Sequence, residues 1–261
     1  MNIIVCIKQV PETTEVKIDP VTKRIVREGV KGIINPYDSY ALEEAIRLKE
    51  RFGGQTTVIS MGPPQAESAL REALAMGIDR AILLSDRLFA GSDTLATSYI
   101  LASAIRKLVP FEIIICGRET LDGSTGQVGP EIAFHLGIPY ATFVSGINQV
   151  ADGQLECVRL MEDHYETLAL PLPSLITVVK EINEPRLPSL RGLLRAKKAE
   201  IPVWGASNIS GKIEFFGQEG SPTRVVECWH PEIKAEGKVV KGEPEQLAQI
   251  LYETLKEKGL V

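Results

Sequence analysis

The stretch Ile113-Ile114-Ile115-Cys116-Gly117-Arg118-Glu119-Thr120-Leu121-Asp122-Gly123-Ser124-Thr125-Gly126-Gln127-Val128-Gly129-Pro130-Glu131 decides how this chain is read. Its start is apolar, short and β-branched, as a buried parallel strand is. The next residues, Ile132-Ala133-Phe134-His135-Leu136, have a helical pattern that stops at Gly137 and Pro139. Between strand and helix lie three glycines (Gly117, Gly123, Gly126), two hydroxyls (Ser124, Thr125) and one amide (Gln127). A loop of this kind offers backbone N–H groups to an anion. Its small residues let a ligand approach the backbone closely. The same composition also suits an ordinary β-to-α connection with a Ser/Thr cap. The surrounding chain has to separate these two readings.

Upstream, strands and helices alternate. Ile3 to Ile7 reads as a buried strand, and Lys17 to Val30 as a short hairpin excursion turning at Asp19-Pro20. Asn35-Pro36 supplies an N-cap and a first-turn proline. The helix from Tyr37 to Phe52 carries Ala41, Ala45, Leu48 and Phe52 on one face and ends at Gly53-Gly54. Thr56 to Met61 and Ala81 to Leu84 read as further strands. Helices start at Pro63-Pro64 and at Ser92-Asp93-Thr94. This alternation predicts a doubly wound, mostly parallel α/β sheet with helices on both faces. Ligands in such sheets bind beyond the carboxyl ends of the strands. The loops after Ile7, Ile59, Leu84 and Cys116 are therefore expected to line one crevice.

Downstream the pattern changes. Val144 to Val150, Leu155 to Met161 and Tyr165 to Leu170 read as strands, with a tight turn at Asp152-Gly153. Leu175 to Val179 returns as a buried strand. From Pro202 to Pro244 periodicity fades, apart from a possible strand near Val225-Val226, and this length is too great for a compact loop. The expected organisation is an α/β domain over 1–201 and an extended arm over 202–261. The arm would end in a helix, Glu245 to Lys258, with Leu247, Ile250, Leu251 and Leu255 on one face.

Composition bounds the partners. The chain has 261 residues, 44% of them hydrophobic, and a formal net charge of −5. That balance argues against a nucleic-acid partner, which would favour a basic stripe. Cys6, Cys116, Cys157 and Cys228 form no metal-ligand spacing, so reduced buried thiols are expected. The chain enters a strand directly, without a basic segment or a long apolar run, and no stretch approaches membrane-spanning length. A cytoplasmic protein is expected. No GxxxxGK[ST] loop occurs, no GxGxxG follows a strand, and three histidines (His135, His164, His230) form no legible nucleophile–base arrangement.

Several segments together resemble the β subunit of electron transfer flavoproteins. They are Val5-Cys6-Ile7-Lys8-Gln9-Val10-Pro11, then Asn35-Pro36-Tyr37-Asp38 with Ala41, Glu43, Glu44 and Ala45, then Ala73-Leu74-Ala75-Met76-Gly77. The resemblance continues through the Gly117–Pro130 loop, Pro173-Ser174-Leu175-Ile176-Thr177, and Asn183-Glu184-Pro185-Arg186 with Ala196-Lys197-Lys198 after it. It implies a heterodimer with an FAD-containing α subunit. It also implies nucleotide contacts from Cys6, Asn35, Pro36, Tyr37, Asp38 and Met61. The opening loop would add Gly117, Arg118, Glu119, Thr120, Leu121, Asp122, Gly123, Ser124, Thr125, Gly126, Gln127 and Val128.

Family members differ in what that pocket holds: AMP in conventional members, a second FAD reacting with NADH in electron-bifurcating ones. Asp122 is the only acidic residue from there to Pro130, and Gly123-Ser124-Thr125-Gly126-Gln127 resembles the bifurcating pattern. Fewer carboxylates favour a pyrophosphate, because like charges beside it are costly. Asp93, Thr94 and Thr97 also resemble that type, with the two threonines placed to edge a flavin or nicotinamide. They equally suit a simple helix cap. The implied function is oxidation of NADH at the β-subunit FAD. One electron would pass to ferredoxin or flavodoxin and one through the α-subunit FAD to a flavin dehydrogenase. The alternatives are an AMP-holding shuttle and a stand-alone nucleotide-binding or ATP-cleaving protein. Residues 184–198 resemble the family's partner-recognition loop, with Leu190 as apolar anchor and Arg191, Arg195, Lys197 and Lys198 around it. A short helix burying its leucines on its own domain is the other reading.

Overall fold

The computed structural model describes residues 1–12, 17–18, 25–26, 32–227, 237 and 239–261. They fall into two compact units, Met1–Glu227 and Cys228–Val261, each taken by itself.

The first unit runs β1 (Asn2–Cys6), β2 (Gln9–Pro11), β3 (Lys17–Ile18), β4 (Ile25–Val26), β5 (Gly32–Ile34), α1 (Pro36–Phe52), β6 (Gln55–Met61), α2 (Glu67–Met76), β7 (Arg80–Leu84) and α3 (Thr94–Ile105). It continues with β8 (Ile113–Gly117), α4 (Val128–Leu136), β9 (Tyr140–Ala151), β10 (Gln154–Leu160), β11 (Tyr165–Pro171), β12 (Ser174–Val178), α5 (Leu190–Lys198) and β13 (Val203–Trp204). The main sheet has nine strands in the order β11-β10-β9-β12-β8-β1-β6-β7-β13. Pairing is parallel from β9 through β13, while β9, β10 and β11 form an antiparallel meander at one edge. The doubly wound α/β expectation is met.

Alternation along β1 shows why both faces are covered. Ile3, Val5 and Ile7 enter the core beneath α1 and α2. Ile4 and Cys6 enter the core beneath α3 and α4. A strand buried on both faces has no polar side to show, hence its continuous apolar run. The sheet order reverses between β1 and β8, which puts the topological switch point there. The turn between β9 and β10 has Asp152 at φ 52° and Gly153 at φ 73°, the doubly left-handed backbone that Asp-Gly favours. β3 and β4 pair antiparallel, so the hairpin excursion is present, though Asp19-Pro20 lies outside the described residues.

Several expectations need correction. Phe52 is more than a third exposed, so the apolar face of α1 ends at Leu48. Val225-Val226 is not a strand; both side chains are largely exposed. The chain beyond Pro202 stays with the first unit until Glu227. It adds β13 to the sheet edge and buries Ile209 and Phe216 against α3. These anchors are irregularly spaced and joined by single 3₁₀ turns, so no period betrays them. In the second unit, α6 (Pro244–Glu257) forms as expected. Leu247 and Leu255 are half-buried, and Ile250 and Leu251 are exposed.

Candidate functional site

At the switch point the chain is stitched together by two buried side chains at the start of α1. Asn35 does not cap its own helix. Its Nδ2 donates to the Glu119 carbonyl at 2.8 Å and its Oδ1 accepts the Leu121 N–H at 3.1 Å. The Asp38 Oδ2 accepts the Lys8 N–H at 2.7 Å. Burial pushes the Asp38 carboxyl up to about 7, against the opposing pull of the Lys8 amide, the Asn35 side chain and the Gly117 amide. Gly117 is required sterically: a Cβ there would sit 2.3 Å from Asp38 Oδ1 and 2.8 Å from the Asp38 backbone nitrogen. Cys6 and Cys116 stand opposite each other in register. A hydrogen bond with Cys6, then burial, holds the Cys116 thiol well above the usual thiol range.

Beyond these strand ends lies a cleft of about 810 Å³, lined by the loops after β1, β6 and β7 together with Asp122 from the loop after β8. It is the crevice that the strand-end rule predicts. Of the expected nucleotide residues, Met61, Thr97 and Asp122 line it. Asp122 is paired with Lys8 at 2.7 Å across the strand ends. Cys6, Asn35, Pro36, Tyr37 and Asp38 lie outside the lining, where Asn35 and Asp38 support the loops instead. Gly117, Arg118, Glu119, Thr120 and Leu121 are also outside it, as are Gly123, Ser124, Thr125, Gly126, Gln127 and Val128 beyond Asp122, and Asp93 and Thr94 at the start of α3. The Arg118 guanidinium sits 5.7 Å and 5.1 Å from the Tyr37 and Phe143 ring centres.

The remaining loop, Gly123 to Gln127, is shaped by a turn in which the N–H groups of Gly123 and Ser124 both donate to the Thr120 carbonyl. Among the described residues, the backbone N–H groups of Thr125, Gly126 and Gln127 donate to no acceptor. They lead directly into the amino end of α4, where Val128 begins the helix. Unpaired amides at a helix start form a fit partner for phosphate oxygens. The described residues include no cluster suited to a metal ion.

Asp93 and Thr94 serve the scaffold. Asp93 Oδ1 accepts the Ala96 N–H at 3.1 Å, capping α3. Its Oδ2 accepts the N–H and the Oγ1 of Thr223, at 3.1 and 2.8 Å. The Thr94 Oγ1 donates to Glu131 Oε1 at 3.1 Å, so it does not share the cleft edge with Thr97. The loop after β7 is held from outside as well. Ala206 N–H donates to Asp86, Gln218 N–H to the Ala90 carbonyl, and the Asp93 N–H to Ser221 Oγ. Phe216 meets Phe89 edge to face at 5.4 Å. Sequence reasoning selects this loop by its place after Leu84 and names only Asp93 in it as a cofactor contact. Lys8, Gln9, Asp86 and Arg87 line the cleft and escape it. The strand-end rule, applied residue by residue, is the signal that could have found them.

Residues 22–208 match the electron transfer flavoprotein domain. An electron transfer flavoprotein subunit beta from Thermoanaerobacterium thermosaccharolyticum is 48% identical over the whole of both chains. Protein FixA of Bradyrhizobium diazoefficiens is 45% identical over 98% of this chain and 91% of its own length. The caffeyl-CoA reductase–Etf complex subunit CarD of Acetobacterium woodii is 44% identical over the whole of both chains. The chain belongs to the electron transfer flavoprotein β-subunit family.

The segment 184–198, expected from the sequence to meet a partner, is tied to α1 by Arg186, which bridges Glu43 at 2.8 Å and Glu50 at 2.6 Å. Ser189 caps α5 by accepting the Gly192 N–H at 3.0 Å. Gly192 packs so close to α2 that a Cβ would lie 2.1 Å from the Ala75 carbonyl oxygen. Arg195, expected in the charged rim, instead donates to the carbonyls of Leu74 and Ile78 and fastens α5 to the end of α2. Leu187, Leu190, Leu193 and Leu194 are all more than half exposed, Leu190 at 76%. Arg191, Lys197 and Lys198 are exposed around them. The helix is docked by its glycine, alanine and arginine, and its leucines face outward. No helix among the described residues is long and apolar enough to cross a membrane.

Proposed function

We propose that this cytoplasmic β subunit holds FAD in the cleft, pairs with an FAD-containing α subunit, and accepts electrons from NADH. The bound flavin supplies the hydride-accepting and electron-dividing chemistry, with ferredoxin or flavodoxin and a partner dehydrogenase as the two destinations. The observation that carries this reading is the state of the loop after β8. Its amides at Thr125 to Gln127 are unpaired, and the carboxylate that precedes them in the loop, Asp122, is held by Lys8 at 2.7 Å. That environment suits a pyrophosphate. The cleft volume lies within the range of cofactor pockets. Thr97 and Met61 offer one hydroxyl and one polarizable thioether toward the ligand.

AMP in the same pocket, with the protein acting as an electron shuttle, is the second reading. The amides would serve a monophosphate equally well. Cofactor content of the purified heterodimer separates the two: two FAD per dimer are expected, and one FAD with one AMP would overturn the proposal. Gly123→Asp adds bulk and charge beside the amides and should raise the FAD dissociation constant.

The exposed leucines of α5 support docking of the dehydrogenase, a reading strengthened by the relative named as part of a caffeyl-CoA reductase–Etf complex. An apolar centre within a charged rim is how interface anchors are built. Leu190→Ala should weaken dehydrogenase binding by about 2 kcal/mol and leave the melting temperature unchanged. A lowered melting temperature with unaltered affinity would instead make Leu190 a packing residue.

A further inference from the structure

The ring-to-ring contacts among the described residues form one connected row. Phe89, in the cleft lining, meets Phe216 at 5.4 Å. Phe216 is 6.0 Å from Tyr99 of α3. Tyr99 then meets two more rings, Phe215 at 5.2 Å and His135 of α4 at 5.4 Å. His135 leads on to Phe134 at 6.0 Å. The row thus begins at the cleft and ends at the surface, on Phe215 at 45% exposure and Phe134 at 81%. Burial, then the neighbouring Arg106, holds the His135 imidazole below its usual range, so the row carries no charge at neutral pH.

The inner half has a packing reason: Phe89 and Phe216 are buried and join the loop after β7 to the segment after β13. The outer half has none. Phe134 lies in neither core, and Ile213, in the same 3₁₀ turn as Phe215, is exposed as well. Single exposed apolar residues are ordinary, but contiguous aromatic edges within a polar rim mark an interaction surface. The rim here is cationic. Arg106 donates to the His135 carbonyl on one side, with Lys107 exposed beside it. The Lys212 ammonium lies 5.9 Å from the Phe215 ring centre on the other. Among the described residues Arg106 and Lys107 have no carboxylate partner, and Lys212 has only the exposed Glu214 at 3.8 Å. In a chain of net charge −5, this face is locally positive.

We propose that the face formed by Phe134, Tyr99 and Phe215 docks the one-electron acceptor, a small acidic protein that carries its own redox centre. The cationic rim selects an acidic partner and speeds its encounter. The aromatic edges at the centre supply the anchors. Electron transfer slows steeply across gaps, and packed rings leave none between the cleft and this surface. Oxidation of NADH yields NAD⁺, one proton and two electrons. One electron reduces this acceptor, and the other leaves through the α subunit. The assignment rests on the reading that a flavin occupies the cleft.

The test uses the purified heterodimer with Phe134→Ala and Lys212→Glu variants, and an acidic ferredoxin as the probe. Ferredoxin binding is measured by calorimetry, and its reduction by the NADH-reduced heterodimer by stopped flow. Phe134→Ala should raise the ferredoxin dissociation constant about tenfold. Lys212→Glu should slow association and flatten its dependence on salt. Flavin content, flavin reduction by NADH and melting temperature should stay at wild-type values in both. Unchanged ferredoxin affinity in both variants would overturn the proposal, as would a flavin-loaded wild-type dimer that does not bind ferredoxin. So would separation of the subunits in Phe134→Ala, because the face would then belong to the α subunit. If cofactor analysis finds AMP in the cleft, the flavin reading fails separately. In that case Phe134-dependent ferredoxin binding still supports the docking face, and its absence removes it.

Discussion

On the β1 and β8 side of the cleft the loops are joined by Asn35 and Asp38, both buried, over a path of about one side chain. On the β7 side the loop is held by a segment some 130 residues further along, through Ser221, Thr223 and Gln218, whose bonds lie near the surface. Both walls are fastened by several hydrogen bonds, yet breaking them has different consequences. A buried donor left without its acceptor loses the full desolvation term, whereas an exposed one turns to water. The first wall is therefore coupled to global stability. The second can loosen locally while the sheet stays folded. A cofactor held on the first side would sit on the rigid wall, and a substrate that comes and goes would meet the adjustable one.

The largest expected effect belongs to Asp38. Its carboxyl rises from 3.8 to about 7 on folding, so the native state holds a proton over a range where the unfolded chain has lost it. Native protein then binds more protons between about pH 4 and about pH 7, and stability falls as pH rises through that window. At 1.36 kcal/mol per unit, a rise of about three units corresponds to about 4 kcal/mol. Asp38→Asn keeps the shape and removes the titration. Glu43 and Asp79, held below their usual range, run the other way, but identically in both proteins, and cancel in the comparison. Denaturant unfolding at pH 4.5 and pH 7.5 should show the wild-type advantage over Asp38→Asn shrinking by about 3 to 4 kcal/mol across that span. Parallel pH curves would mean that the amides of Lys8 and Gly117 keep Asp38 ionised throughout, and that the buried wall is held by charge.

The contrast between the walls mirrors what the sequence makes legible. Strand alternation and apolar runs such as Ile113-Ile114-Ile115 are enough to predict the parallel sheet and the crevice at its strand ends. Asp152-Gly153 announces its turn because both positions take a backbone that those residue types favour. Asn35 and Asp38 can be picked out, but not their job. A polar residue at a helix start reads as a cap, and only the three-dimensional pairing shows Asn35 reaching the Glu119 and Leu121 backbone instead. The β7 wall is harder. Ala206, Phe216, Ser221 and Thr223 act at irregular spacing over a segment without period, and their partners lie more than a hundred residues away. Such contacts are long-range by nature and leave no local signature. Arg195 is misread for a related reason. A cation among cations looks like a solvated rim until the carbonyls at the end of α2 come within reach.

The adjustable wall can be tested with one hydroxyl. Thr223→Val is nearly isosteric and removes the 2.8 Å bond from Oγ1 to Asp93, while Asp93 keeps the Ala96 cap of α3 through its other oxygen. An exposed bond of this kind is worth about 1 kcal/mol, which opens the rim about fivefold more often. Hydrogen exchange of the amides from 87 to 93 should accelerate by that factor, whereas the amides of β1 and β8 should exchange as in the wild type. The denaturation midpoint should move far less than in Asp38→Asn. Thr223→Ser, which restores the hydroxyl, should return exchange toward wild-type rates and so separates the lost bond from any packing defect of the valine. If Thr223→Val instead lowers global stability as much as Asp38→Asn, or if exchange rises equally on both sides of the cleft, the two walls form one cooperative unit. The division between a rigid cofactor side and an adjustable substrate side then has to be given up.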